Sequence, residues 1–422
     1  MLPGLPDAAA VTTFLPVLLG SDLNVYGMAR SFHEAYGVRS LALASFPLAP
    51  TRYSRIVDVE IIDGFGHDET FVSTLLDRAA PLAGRFERLV LVPCGDHYAE
   101  LVSRFQVELG ERYVVAAPGH DLLRQLVSKA SFYELCAQHG IDHPRTRVIT
   151  AADGASPRTI DSPFGFPAVL KPSDGIAYLG VQFPGRKKAF VLDTLDDLRR
   201  VVASIYGAGY PETLVLQEYI PGADSQMRVL NTYSDATGRV RLMSLGAPLL
   251  EDHAPDLVGN YTVIRSTSDQ ALYERIRGFL EAIGYVGFAN VDMKLDPRDG
   301  SYRLFELNPR QGRSSFFTTL AGYNLARVLV EDRVFDRRPE PVYGSAEVLW
   351  LQIPRWVLFR YLESDEEKAR ARRLIAAGRA GGTLGYPPDD GLRRRALRLL
   401  MGLRYARSYG VQRRLRLQGG QA

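Results

Sequence analysis

The residues between 285 and 315 carry the types and spacing of a divalent-cation site. In SYRLFELNPRQGR, Glu306 and Asn308 stand two apart, so an extended strand turns both to the same side. Asp292 lies in the preceding apolar run, GFANVDMKL, and DPRDG between the two runs has the residues of a turn. A symmetric hairpin closing there sets Leu295 opposite Ser301 and Asp292 opposite Leu304. Glu306 is then a diagonal neighbour of Asp292, roughly 7–8 Å away between backbones. Two carboxylates and an amide oxygen suit Mg2+, a hard cation that takes oxygen ligands and usually shares them with substrate phosphates. Arg310 and Arg313 follow directly and could hold phosphate or carboxylate oxygens. The competing reading is a solvated hairpin with scattered acids. It accounts for the charges but less well for the apolar neighbours Phe288, Val291, Leu304 and Phe305.

A second set of residues lies upstream. Lys171 ends the apolar run FPAVLKP, where its ammonium could reach a phosphate as a point charge. Lys129 opens a helical stretch, where a phosphate would also meet the positive end of the helix dipole. In QEYIPGAD, backbone groups of Glu218, Tyr219 and Ile220 offer an edge for a flat base, and Asp224 could accept from ribose hydroxyls. Taken singly, each has a plain alternative: a surface lysine closing a strand, or a strand running into a glycine turn.

These residues need elements to hold them. From FLPVLLG to RLVLVPCG, short apolar runs alternate with helical stretches such as SDLNVYGMARSFHEAYG, the pattern of an open, mostly parallel α/β sheet. The turn GSDLNVYG lacks the G-x-G-x-x-G spacing of a dinucleotide loop, although Ser21, Asp22 and Asn24 fall where such sheets bind ligands. Beyond residue 126 the pattern is α+β. SKASFYELCAQHG is a helix with Ser128 as cap, and Thr194 and Asp197 open another with the spacing of a capping box. RVLNTYS and VRLMSLG form a hairpin, and DQALYERIRGFLEAIG an amphipathic helix. The expected division is an N-terminal α/β domain over 1–125, a two-lobed nucleotide- and metal-binding domain over 126–335, and an extension over 336–422 with an Arg-rich tail.

The order of these motifs, Lys, Lys-Pro, strand–E-x-x–Pro-Gly-x-Asp, then Asp and Glu-x-Asn-x-Arg, resembles the ATP-grasp superfamily over about residues 126–330. Longer stretches, among them LGSDLNVYGMARSFHEAYG, VQFPGRKKAF, MRVLN, GAPLLEDHAP, GFANVDMK and RQGRSSFF, are similar to the bacterial D-aspartate ligases. The resemblance implies an ATP-grasp fold behind a parallel α/β domain, with ATP and Mg2+ as cofactors. It implies D-aspartate as the acid, joined through its β-carboxylate to the lysine ε-amine of the peptidoglycan precursor peptide. Lys129 and Lys171, with Ser173 and Gly175, then meet the phosphates. Glu218, Tyr219, Ile220 and Asp224 hold the nucleoside, and Asp292, Glu306 and Asn308 hold the metal. Arg310 stabilises the transferring phosphoryl group, and Arg313, Arg228, Ser314 and Ser315 are candidates for the acid. The loop PSDGIAYLG departs from the family by lacking a glycine-dense run, which leaves its contacts open.

Composition sets the remaining bounds. A net charge of +3 on 422 residues, with no zinc-finger or RNA-binding signature, argues against a nucleic-acid partner. Two distant cysteines suit a reducing compartment, and no run of about 18 apolar residues occurs, so a cytoplasmic enzyme is expected. The tail beyond residue 390 interleaves arginine with leucine. It reads either as a helix packed on the body with a solvated basic face or as a basic amphipathic helix touching anionic lipid. Other readings are a ligase for a different amino acid or amine, a non-catalytic ATP-binding regulator, which the retained Glu306-x-Asn308 argues against, and a nicotinamide dehydrogenase, which the missing fingerprint argues against.

Overall fold

The computed structural model describes residues 12–252, 259–338 and 340–419. Five parallel strands open the chain: β1 (Thr12–Leu19), β2 (Ser40–Ala44), β3 (Val57–Ile61), β4 (Phe86–Pro93) and β5 (Tyr113–Val115), in the sheet order β3-β2-β1-β4-β5. Their central runs are almost wholly apolar because helices cover both faces. The helix Leu23–Tyr36 follows β1. Asp22 caps it, with Oδ1 accepting from the N–H groups of Asn24 (3.0 Å) and Val25 (3.1 Å), and Gly37 ends it in the left-handed region at φ 68°.

Four antiparallel strands make the second sheet: β6 (Thr146–Ile149), β7 (Ala168–Pro172), β8 (Phe190–Leu192) and β9 (Leu214–Glu218), in the order β6-β9-β7-β8. The helix Lys129–Gln138 precedes it. Ser128 stands at that helix's cap position, as expected, but its side chain makes no capping bond. Thr194 does cap its helix, accepting from the Asp197 N–H at 3.1 Å.

The largest sheet is eight-stranded: β10 (Met227–Ser234), β11 (Val240–Glu251), β12 (Tyr261–Thr267), β13 (Gly287–Leu295), β14 (Tyr302–Asn308), β15 (Val342–Tyr343), β16 (Leu349–Leu351) and β17 (Ala380–Gly381). Its order is β14-β13-β10-β11-β12-β16-β17, with β15 added beside β11. The segment from 336 onward therefore contributes three strands to this sheet as well as the tail helix Leu392–Gly419. A cluster of buried side chains joins the first and third sheets: Phe14 and Phe32 pack in one core with Tyr233, Phe288, Phe316 and Trp350. Each large apolar side chain so buried is worth roughly 1.5–3 kcal/mol, and together they fix the seam at which the polar residues gather.

Candidate active site

The β13–β14 hairpin forms as the sequence suggests, but with a different register. Leu295 pairs with Tyr302, not Ser301, and Met293 with Leu304. One step on, Asp292 pairs with Glu306, so Phe305 is an extra residue and the strand bulges there. Contacts from outside the hairpin hold the bulge. The Leu304 N–H donates to the Asp142 carbonyl (2.9 Å), and the Tyr133 hydroxyl donates to the Phe305 carbonyl (2.7 Å). Glu306 thus faces Asp292 directly instead of diagonally. The Asn308 amide lies between them, donating to Asp292 Oδ2 (3.3 Å) and Glu306 Oε1 (3.2 Å).

This arrangement fits a divalent cation. Burial pushes the Asp292 carboxyl up to about 7, and the Glu306 charge pushes it the same way, while the Tyr261 hydroxyl at 3.2 Å, Arg310 and Lys188 pull it down. Two carboxylates this close repel unless a cation shares them, and turning the Asn308 amide over would add an oxygen. Among the described residues no group of three or more His, Cys, Asp and Glu side chains could hold a metal. Two carboxylates and an amide suit a cation that keeps positions for phosphate oxygens.

The loop after β14 carries the arginines. Arg310 Nη2 donates to Asn308 Oδ1 (3.4 Å), and its Nε lies 2.7 Å from Asp96 Oδ1. Arg313 Nη2 donates to the Tyr405 hydroxyl of the tail helix (2.7 Å), and its buried Nη1 has no hydrogen-bond partner among the described residues. The loop is tied on both sides. Asn24 Nδ2 donates to the Gln311 carbonyl (2.8 Å) and the Cys94 carbonyl (3.0 Å). Ser315 Oγ accepts from the Gly312 N–H (2.6 Å) and donates to Asn231 Oδ1 (2.8 Å), which also accepts from Asn290 Nδ2 (2.8 Å). A Cβ on Gly312 would sit 2.8 Å from the Asn290 side chain, so the backbone needs glycine for this approach.

On the nucleotide side, Lys171 is the penultimate residue of β7, with its ammonium 5.3 Å from the centre of the Phe305 ring. Burial pushes Lys171 down to about 8. Glu306 opposes the shift, while Lys129 and Lys188 add to it, which puts three lysines and Glu306 in one field. Lys129 is the first residue of its helix. Ser173 Oγ accepts from Thr213 Oγ1 (3.1 Å), and Gly175 opens a short helix, Gly175–Leu179, where an open loop was expected. The Glu218 carboxylate is held between Arg145 (3.0 Å) and Arg298 (2.6 Å), and its N–H donates to the Arg145 carbonyl (2.9 Å). The Ile220 carbonyl accepts from Lys294 Nζ (3.0 Å), which also lies 5.7 Å from the Tyr219 ring centre. The Asp224 side chain lies outside the described residues.

Of the candidates for the acid, Arg228 faces away from the carboxylates. Arg228 pairs with Met293, and the next residue, Val229, pairs with Asp292, so strand alternation turns Arg228 away from the carboxylates. Its Nη1 donates to the Ser225 (2.8 Å) and Met227 (2.7 Å) carbonyls. Ser315 ties the loop together, as above, and Ser314 is buried. Sequence reasoning missed Asn231, Asn290, Asp96, Tyr261, Tyr405 and Lys188. The two asparagines carried a signal, since polar residues inside apolar strands must find partners.

Together the fold and this site define an ATP-grasp ligase. The chain is 46% identical over 390 residues to the D-aspartate ligase of Enterococcus faecium (strain Aus0004), covering 90% of this chain and 92% of that protein. It belongs to the D-aspartate ligase family. No protein-family model matches it. Its fold is similar to that of an L-amino acid ligase from Bacillus licheniformis (TM-score 0.55, 14% identity, 77% of this chain and 75% of that one). It is also similar to the biotin carboxylase domain of the Hydrogenobacter thermophilus 2-oxoglutarate carboxylase, solved with MgADP and bicarbonate (TM-score 0.60, 15% identity, 80% and 74%).

Proposed function

We propose that the chain is an ATP- and Mg2+-dependent ligase that activates the β-carboxylate of D-aspartate as an acyl phosphate and joins it to the lysine ε-amine of the peptidoglycan precursor peptide. The observation that carries the reading is the convergence of Asp292, Glu306 and Asn308 across the bulge, with Arg310 beside them. A carboxylate at neutral pH is a poor acyl donor. Its oxygen attacks the γ-phosphorus, ADP leaves, the amine attacks the acyl carbon and loses a proton, and phosphate departs.

Positioning and charge neutralisation carry such a reaction, and no covalent protein intermediate is required. Lys129, Lys171, Ser173 and Gly175 bind the phosphates, and Glu218, Tyr219, Ile220 and Asp224 form the nucleoside side. Asp292, Glu306 and Asn308 would hold Mg2+, which when bound supplies positive charge to the phosphate oxygens. Arg310 neutralises the transferring phosphoryl group. Arg313 offers its unpartnered Nη1 to a carboxylate of the amino acid. The two cysteines are free and buried, in keeping with a cytoplasmic setting. The resemblance over the whole chain supports the D-aspartate assignment.

Release of ADP by the purified chain, with ATP, Mg2+ and precursor peptide, tests the assignment. D-aspartate should support turnover and L-aspartate should support little. Equal rates with both, or activity only with an unrelated acid, would overturn the choice of substrate while leaving the ligase chemistry standing.

A further inference from the structure

The tail helix Leu392–Gly419 uses only one face to hold the body. Arg394 Nε pairs with Asp389 (3.0 Å), Arg398 Nη1 with Asp390 (2.9 Å), Tyr405 accepts from Arg313, and the Tyr409 hydroxyl donates to the Glu251 carbonyl (2.6 Å). These residues are spaced four, seven and four apart, which keeps them on one side of a helix. Gly402 lies on the same flank, where a Cβ would sit 3.2 Å from Pro354.

The opposite face is solvated and basic, as a helix packed on the body would present, but it also carries apolar side chains. Leu392, Leu399, Leu400 and Leu403 are 84%, 66%, 63% and 56% exposed, and Val411 lies further along the same side. At 3.6 residues per turn they form one outward stripe, with the exposed Arg393, Arg395, Arg404 and Arg407 along and beside it. Exposed Trp356 stands two residues beyond Pro354. Residues 392–422 contain nine arginines and no lysine, aspartate or glutamate, whereas the whole chain is only +3, so the remainder is net negative. Among the described residues no helix is long and apolar enough to cross a membrane.

We infer that this outward face docks on an anionic bilayer surface, with the leucines sunk at the headgroup boundary and the arginines on lipid phosphates. The charge pattern chooses this occupant. A second copy pairing through the same helix face would set arginine against arginine with no acid in the helix to answer it, and the net-negative body of another copy would leave the leucine stripe without an apolar partner. A polyanion without acyl chains leaves the leucine stripe in water. A bilayer with acidic headgroups satisfies both, because long basic side chains reach the phosphates while apolar ones enter the hydrocarbon edge. The inference does not depend on which acid the active site takes.

Cosedimentation of the full chain with vesicles tests it. Phosphatidylglycerol–phosphatidylcholine vesicles should pellet the protein at least about tenfold better than pure phosphatidylcholine, and high salt should weaken the binding. The double variant Leu399→Ser with Leu403→Ser and the double variant Arg404→Gln with Arg407→Gln should each lose most of the binding. All four side chains are exposed, so the thermal midpoint and ADP release in solution should stay unchanged. Failure of the wild type to pellet, equal binding to neutral and anionic vesicles, or undiminished binding by both variants would overturn the proposal. So would a dimer in gel filtration that the leucine variant dissolves, which would make a second copy the occupant.

Discussion

Glu306 faces Asp292 across one step of the ladder, and its charge is needed only if something cationic is to be held there. We expect Glu306→Gln to lower kcat about a hundredfold or more, equivalent to roughly 2.7 kcal/mol or more of transition-state stabilisation. The side chain is exposed and the change conserves shape, so the thermal midpoint should barely move. ADP release with Mg2+ titrated, measured with the midpoint on one preparation, checks this, and near-normal turnover would remove the metal assignment. Lys171 gives a pH prediction. Its pKa is pushed down to about 8, so the ammonium is intact below that pH and is lost above it. ATP affinity should therefore hold steady below about pH 7 and fall above 8, approaching tenfold per unit. Lys171→Arg, which stays charged, should flatten the ATP-binding profile, whereas an identical decline in the variant would exonerate Lys171. The shared side of Glu306 and Asn308 was legible because period 2 is a property of any strand. The side taken by Arg228 was not, since it depends on Val229 lying opposite Asp292, a pairing that no local spacing reveals.

The strands and helices were largely readable from apolar runs, turns and caps, and the DPRDG turn was correctly placed between β13 and β14. The bulge at Phe305 was not readable, because the bonds that hold it come from Asp142 and Tyr133, more than a hundred residues upstream. The tail helix shows the same limit. Its interleaved arginines and leucines announced an amphipathic element, but which side turns inward is decided by Asp389, near-inaccessible and bonded to Tyr26 (2.8 Å) as well as Arg394. That buried pair yields a stability prediction. Asp389→Asn leaves the Arg394 guanidinium uncompensated and should cost about 3–5 kcal/mol, whereas replacing both by apolar residues of similar size should cost less. Urea unfolding measures it, and a loss below about 1 kcal/mol for Asp389→Asn would mean that water reaches the pair.

At the scale of the molecule, one apolar core fuses the parallel sheet to the large, mostly antiparallel one, and polar groups from both line the seam. Asp96 comes from the segment after β4, Arg310 from the loop after β14, and Tyr405 from the tail helix, so residues more than three hundred positions apart meet around one loop. The order of the motifs along the chain disclosed the class of chemistry through its resemblance to the ATP-grasp superfamily, in which lysines, a strand running into Pro-Gly-x-Asp and the acids of a late hairpin follow one another in that order. The asparagines that fix the loop were hidden, because their partners are brought up only by folding. The proposed ligation depends on activation of a carboxylate by phosphorylation. D-aspartate labelled with 18O in its β-carboxylate, turned over with ATP and the precursor peptide, tests that step by mass spectrometry of the released phosphate. One 18O per phosphate is predicted, since the attacking carboxylate oxygen leaves with phosphorus. Unlabelled phosphate, or label in AMP, would contradict it.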